Sequence, residues 1–454
     1  MNLRFLSTNG QSPAVNLRQA LLIGQAPDLG LYLPEQFPRL TPQELAGFTS
    51  LPYHQIAFEV LRRYTAGVIA DAALEELCAD AYNFNVPLEP VCGMDRVHVL
   101  RLDQGPTASF KDFAARMMAR LLGRFVRENG QTLTILTATS GDTGSAVASA
   151  FHNVEGIRVV VLFPLGEVSA RQRQQMTTLR ENIRTIALDG KFDDCQALVK
   201  RAFADPALAH LALSSANSIN IGRLLPQSVY YFHAAARLAL PGEPVILAVP
   251  SGNFGDMMGA VFAGRMGLPI KRLVVPVNGN DEFPRFLATG AYAKIEPSRA
   301  CLSNAMNVGH PSNLARLIAL YGGRMGETGV LQRAPDMAAL RRDLFSTSVS
   351  DEQTSATIRQ AWADHQLLLE PHGAVGWRGF QDYLQQEPLA GAPAVVLETA
   401  HPAKFPEEIQ RLLGFAPAVP PALAELDRLA EDYDRLPVDY AAFRDYLIAH
   451  HRER

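Results

Sequence analysis

The chain has 454 residues, 48% of them apolar and 19% charged, with a formal net charge of −4. That balance is globular; it excludes a disordered tail protein and gives no basic excess for nucleic acid. At about 150 residues per domain the length predicts two or three packed units.

Residues 1–95 read as an N-terminal unit. The start, M-N-L-R-F-L-S-T-N-G, has no apolar stretch of the secretory kind, and no run of about 18 apolar residues occurs anywhere. A cytoplasmic protein with no membrane or nucleic-acid partner is expected. A turn-rich segment containing A-P-D-L-G-L-Y-L-P-E follows, then helical patterning over 54–81. From Val97 short apolar runs alternate with helical stretches, with strands predicted at 133–136, 159–163, 184–188, 245–249, 272–277 and 394–397. Several are almost continuously apolar, as when helices cover both faces of a parallel sheet. The pattern predicts an α/β fold, with ligands at the carboxyl ends of the strands. Four cysteines (Cys78, Cys92, Cys195, Cys301) lack CxxC spacing and eleven histidines lack HExxH, so no metal site is expected.

Three turns could carry chemistry. G-P-T-A-S-F-K-D-F places Lys111 in the first turn of a helix, where the dipole and the neighbouring Phe110 and Phe113 favour a neutral amine. Ser109 and Asp112 there suggest a capping box, and Arg116, Arg120, Arg124 and Arg127 suggest a solvated helix face. T-S-G-D-T-G, at 139–144, gathers hydroxyls and amides at a helix start, as an anion site or simply as a cap. P-S-G-N-F-G-D, at 250–256, is a Gly-rich strand-to-helix turn of phosphate-binding size. It is neither a Walker loop nor GxGxxG, and its plain alternative is a turn with Asp256 capping the helix. A helix-start lysine, a phosphate-sized turn and an α/β frame together fit a pyridoxal phosphate enzyme.

These motifs, with D-G-K-F-D-D-C-Q-A-L-V-K, S-S-A-N-S-I-N-I-G-R, C-L-S-N-A-M-N-V-G, E-P-H-G-A-V-G and T-A-H-P-A-K-F-P, stand in one order along nearly the whole chain. In this the sequence resembles the threonine synthase family of bacterial and fungal type, within the fold-type II (tryptophan synthase β-like) pyridoxal phosphate enzymes. The resemblance implies two parallel-sheet α/β lobes in residues 96–454, the smaller at roughly 130–215, with a C-terminal helical tail and residues 1–95 as a cap that could act as a lid. It implies that Lys111 binds pyridoxal 5'-phosphate covalently. Gly252, Asn253, Phe254 and Gly255 would wrap its phosphate with Ser251 and Asp256 at the edges of that loop, Thr399 would stand by the ring nitrogen, and Asp142 would lie next to the phenolic oxygen. An acid at 142 must be protonated or find a cation. Thr139, Ser140 and Thr143 would take the substrate carboxylate, and Asn220 and Arg223 the substrate phosphate. The implied reaction turns O-phospho-L-homoserine and water into L-threonine and phosphate, by a monomer or weak homodimer.

The chain departs from the family pattern at Asp103-Gln104, Ser109, Gly222, Gly279, Glu282, Glu370 and Gly373. A fold-type II dehydratase or phospholyase is the alternative within the fold. A non-catalytic metabolite-binding relative is the alternative outside catalysis, and the retained Lys111 argues against it.

Overall fold

The computed structural model describes residues 3–451. The extreme ends of the two expected units, residues 1–2 and 452–454, lie outside the described residues. Near the N-terminus β1 (Phe5–Ser7) pairs antiparallel with β2 (Tyr32–Pro34). The helical pattern over 54–81 resolves into two helices, Tyr53–Thr65 and Asp71–Ala81. Gly67, at φ +75°, turns the chain between them.

The remaining strands are β3 (Leu88–Pro90), β4 (Val97–Arg101), β5 (Leu133–Ala138), β6 (Ile157–Pro164), β7 (Ile183–Leu188) and β8 (Leu213–Ser215). They continue as β9 (Val245–Ala248), β10 (Ile270–Val274), β11 (Arg324–Met325), β12 (Leu331–Arg333), β13 (Leu344–Phe345), β14 (Ala394–Glu398) and β15 (Asp434–Leu436). The larger lobe is a six-stranded sheet ordered β13-β10-β9-β14-β4-β3, parallel except for β3. The smaller lobe is a five-stranded parallel sheet ordered β15-β7-β6-β5-β8. The central strands β5, β9 and β14 are buried along their whole length, which is why their sequences are continuous apolar runs. The fold is therefore α/β with two parallel-sheet lobes and an N-terminal cap.

Three local expectations need correction. Ser109 and Asp112 form no capping box. Asp112 is buried and accepts from Thr107 N (2.8 Å) and Thr107 Oγ1 (2.7 Å), while the Ser109 hydroxyl has no partner among the described residues. The arginine row is not simply solvated. Arg116 Nε donates to Ala81 O (2.7 Å) and Arg120 pairs with Asp80 (2.7 Å), so both bind the carboxyl end of a cap helix, where a cation meets the dipole well. The C-terminal segment is not only helical: β15 joins the edge of the smaller sheet before the helix Tyr440–His451. Its Asp434 and Arg435 are exposed, so this edge strand has no apolar signature.

Candidate active site

Between the lobes, at the carboxyl ends of β5, β9 and β14, lies a cavity of about 590 Å³, a size that suits a cofactor with a small substrate. Every site residue expected from sequence borders it except Asn220. Asn220 is buried behind it, donating to Leu21 O (2.8 Å) and Ser215 O (3.0 Å) and accepting from Gly222 N. Its amide braces a loop and has no donor left for a phosphate.

Lys111 opens the 19-residue helix Lys111–Asn129, which ends at Gly130 in the left-handed conformation. The preceding Phe110 N donates to Thr399 O (2.9 Å), tying the lysine's turn to the end of β14. Burial lowers the Lys111 amine to about 8. Asp142 and Asp256 oppose this; Lys404 and Arg223 reinforce it. The Nζ atom sits 4.3 Å from the Phe110 ring centroid. Phe113 plays no such part: its ring packs against Tyr53, Phe84 and Tyr230, under the cap.

Asp142, 2% exposed, has found its cation. Lys404 Nζ lies 2.6 Å from its carboxylate, and Gln172 Nε2 donates to it at 3.0 Å. Burial alone would raise this carboxyl, but Lys404, Lys111 and His372 outweigh it and hold the group well below the usual carboxylate range. Gly141, at φ +134°, lets Gln172 approach; a Cβ there would stand 2.4 Å from the Gln172 side chain. Thr139 follows the capping alternative, its hydroxyl accepting from Gly141 N (3.0 Å) and Gly144 N (2.8 Å). The hydroxyls of Ser140, Thr143 and Thr399 border the cavity with no hydrogen bond among the described residues. Arg223 is buried at the cavity wall. One arm donates to Ala216 O and its Nε has no partner among the described residues, while burial lowers the guanidinium to about 10.

The 250–256 turn has the form of an anion cradle. Phe254 adopts φ +63° and the helix Gly255–Arg265 starts directly after it. Among the described residues the amides of Gly252, Asn253, Phe254 and Gly255 carry no hydrogen bond. Ser251 instead uses its amide on Pro276 O (3.0 Å) and its hydroxyl on Val249 O (2.9 Å). A Cβ at Gly252 would stand 2.8 Å from the Met306 backbone, so the main chain alone fits there. Asn253 Oδ1 accepts from Ser312 N (2.6 Å), which fixes the loop from outside. Asp256 does not cap: its carboxyl accepts from the Tyr230 and Tyr231 hydroxyls (both 2.5 Å), and burial raises it to about 6. Four free amides at a helix start, an adjacent part-neutral lysine and free hydroxyls fit a phosphate-bearing aldehyde cofactor. Among the described residues no group of His, Cys, Asp and Glu is arranged to hold a metal ion.

The family of pyridoxal-phosphate-dependent enzymes matches residues 85–399, with a threonine synthase N terminus at 4–82 and a threonine synthase C-terminal region at 373–447. The threonine synthase of Pseudomonas aeruginosa is 40% identical, covering 99% of this chain and 98% of its own. The crystal structure of a pyridoxal-phosphate-bound threonine synthase from Brucella melitensis superposes with a TM-score of 0.91 at 35% identity, covering 99% of this chain and 100% of that one. The Escherichia coli threonine synthase structure gives 0.88 at 38% identity, covering 98% and 100%. The chain belongs to the threonine synthase family. It is thus a pyridoxal phosphate enzyme.

Within that family frame, several residues that shape the site had gone unremarked in the sequence. Lys404 stands inside T-A-H-P-A-K-F-P, and its signal was indirect: an acid at 142 demanded a cation. His372 borders the cavity, with Nδ1 against Glu370 (2.5 Å) and Nε2 accepting from Ala305 N (3.1 Å). Two of the departures from the family pattern, Glu370 and Gly373, both meet Glu398, whose carboxyl accepts from Glu370 N (3.1 Å). Gly373 leaves room for Glu398, whose carboxyl oxygen lies 1.6 Å from where a Cβ at 373 would be. Burial, with the facing Glu370, pushes the Glu398 carboxyl far up.

Proposed function

We propose that this chain converts O-phospho-L-homoserine and water into L-threonine and phosphate. Full-length likeness to threonine synthases supports the reading. The single observation that carries it within the structure is one cavity joining a part-neutral lysine, a cradle of free amides and a row of free hydroxyls.

The amides of 252–255 would hold the cofactor phosphate, Lys111 the aldehyde carbon and Thr399 the ring nitrogen. When bound, the cofactor supplies an electron sink for carbanions formed beside the amino group. A neutral hydroxyl at Thr399, instead of a carboxylate, moderates that sink and suits elimination and addition. Once released, Lys111 takes the Cα proton and moves protons at Cβ and Cγ. An amine near 8 can give and take protons close to neutral pH. The Cγ–O bond breaks, the electron pair leaves with phosphate, and water then adds its oxygen at Cβ. Ser140 and Thr143 would orient the substrate carboxylate, and Arg223 at the cavity wall would supply positive charge for the substrate phosphate. The ionised Asp142–Lys404 pair keeps fixed charge beside the reacting carbons without offering a free acid. Thr8 and Asn9 of the cap border the cavity and would shut water out on closure. The working form is a monomer or weak homodimer.

The test is product analysis on O-phosphohomoserine, beside Lys111→Ala. Threonine and phosphate in equal amounts, both lost in the variant, support the reading. Accumulation of 2-oxobutyrate would move the activity to a lyase of the same fold. A native chain that neither yellows with pyridoxal phosphate nor releases phosphate would end the catalytic reading.

A further inference from the structure

Arg316 is among the largest fully buried side chains, and its guanidinium meets only uncharged acceptors. Nε donates to Tyr32 O (3.0 Å), one arm to Ser218 O (2.9 Å) and the Asn313 side-chain oxygen, the other to Ile219 O (2.6 Å). Among the described residues no carboxylate pairs with it. Burial lowers it only to about 9, so it stays charged at neutral pH. A buried cation without an anion is costly, so a negative charge brought close to it is favoured.

The surroundings indicate where that charge arrives. Asn313, oriented by Arg316, donates to Asn253 O (2.9 Å) and to Ser218 Oγ (2.9 Å). Ser218 Oγ in turn accepts from Asn253 Nδ2 (3.0 Å). The guanidinium therefore stands one layer of side chains behind the loop whose four amides are free. It reaches that loop through two shared partners, Asn313 and Ser218.

We propose that Arg316 is the buried counter-charge of the cofactor's phosphate, a positioning residue that acts across the Ser218–Asn313 layer and not by contact. This rests on the assignment of 252–255 as the phosphate cradle. It predicts that Arg316 favours the phosphate group specifically and contributes little to capture of the aldehyde by Lys111.

The experiment compares binding of pyridoxal phosphate and of pyridoxal to the cofactor-free full chain, read by the absorbance of the captured aldehyde. In Arg316→Met, affinity for pyridoxal phosphate should fall by about tenfold or more while that for pyridoxal changes by less than about twofold. Arg316→Lys, which keeps the charge and loses the fork, should keep the native preference for pyridoxal phosphate over pyridoxal. It stands in if the Met variant does not fold, and a collapsed preference in it would overturn the proposal. Parallel loss of both ligands would mean a structural clamp only. An unchanged preference with a raised KM for O-phosphohomoserine would assign the charge to the substrate's phosphate. Either result overturns the proposal. A native chain that captures pyridoxal but shows no preference for its phosphate would instead refute the cradle itself.

Discussion

Replacing Lys404 by Met should expose how much of the site depends on one ion pair. Its Nζ is 2.6 Å from Asp142, and both side chains are essentially excluded from solvent. At an effective dielectric of about 20 the gross attraction is about 6 kcal/mol, much of it offset by the desolvation of both groups. Removing one partner leaves a buried carboxylate, which typically costs about 3–5 kcal/mol. The Lys404 hydrogen bond to Thr107 O (3.1 Å) adds about 1 kcal/mol. Urea unfolding of the cofactor-free chain should therefore show Lys404→Met less stable by about 4–6 kcal/mol at neutral pH. Asp142→Asn with Lys404→Met, which removes both charges, should recover about 2 kcal/mol or more. The pH dependence should also flatten. In the native chain Asp142 is depressed, so its contribution is present above pH 4 and lost on acidification. Without Lys404 the burial of Asp142 is opposed only by Lys111 and His372, so the depression shrinks and the loss on acidification shrinks with it. Lys111 gives a second readout, since Lys404 pushes its amine down and Asp142 pushes it up. Capture of pyridoxal phosphate should shift to higher pH in Lys404→Met and to lower pH in Asp142→Asn. Single variants that add within about 0.5 kcal/mol in the double variant would refute the pair.

Other outcomes follow from single contacts. Glu282 is buried and raised to about 7, so its contribution is full below its unfolded value near 4.5 and lost as pH rises through 7. Glu282→Gln should remove a loss on the order of 2–3 kcal/mol between pH 5 and pH 8, measured by urea unfolding at both; equal slopes would count against it. Gly373→Ala should destabilise by about 2–4 kcal/mol through collision with Glu398, and adding Glu398→Ala should restore most of it, as calorimetry of the three variants would show. Gly252→Ala must displace the Met306 backbone from 2.8 Å, so affinity for pyridoxal phosphate should drop by about tenfold or more in a spectral titration, with the melting temperature moved much less.

Much of the fold was legible because buried parallel strands are written as continuous apolar runs: β5, β6, β7, β9, β10 and β14 all lie on predicted segments. The strands that escaped were short or polar. In β4 His98 and Arg101 break the run, and β15 is an exposed edge. The two-lobed architecture and the cap came from the ordered motifs, not from periodicity.

The helix-start lysine, the Gly-rich turn and the hydroxyl loop are properties of local sequence, since each needs particular residues within a few positions of one another. The sequence by itself determined them. What it left open was how charge and hydrogen bonds are shared, because the partners lie far apart in the chain. Asp142 meets Lys404, Asn253 meets Ser312, and Arg316 joins Tyr32 of the cap to Ser218. Only the folded structure decided that Asn220 would brace a loop, that Thr139 would cap a helix, and that Gly373 would make room for a second buried acid. Burial sets each of these outcomes, and burial exists only once the lobes have packed.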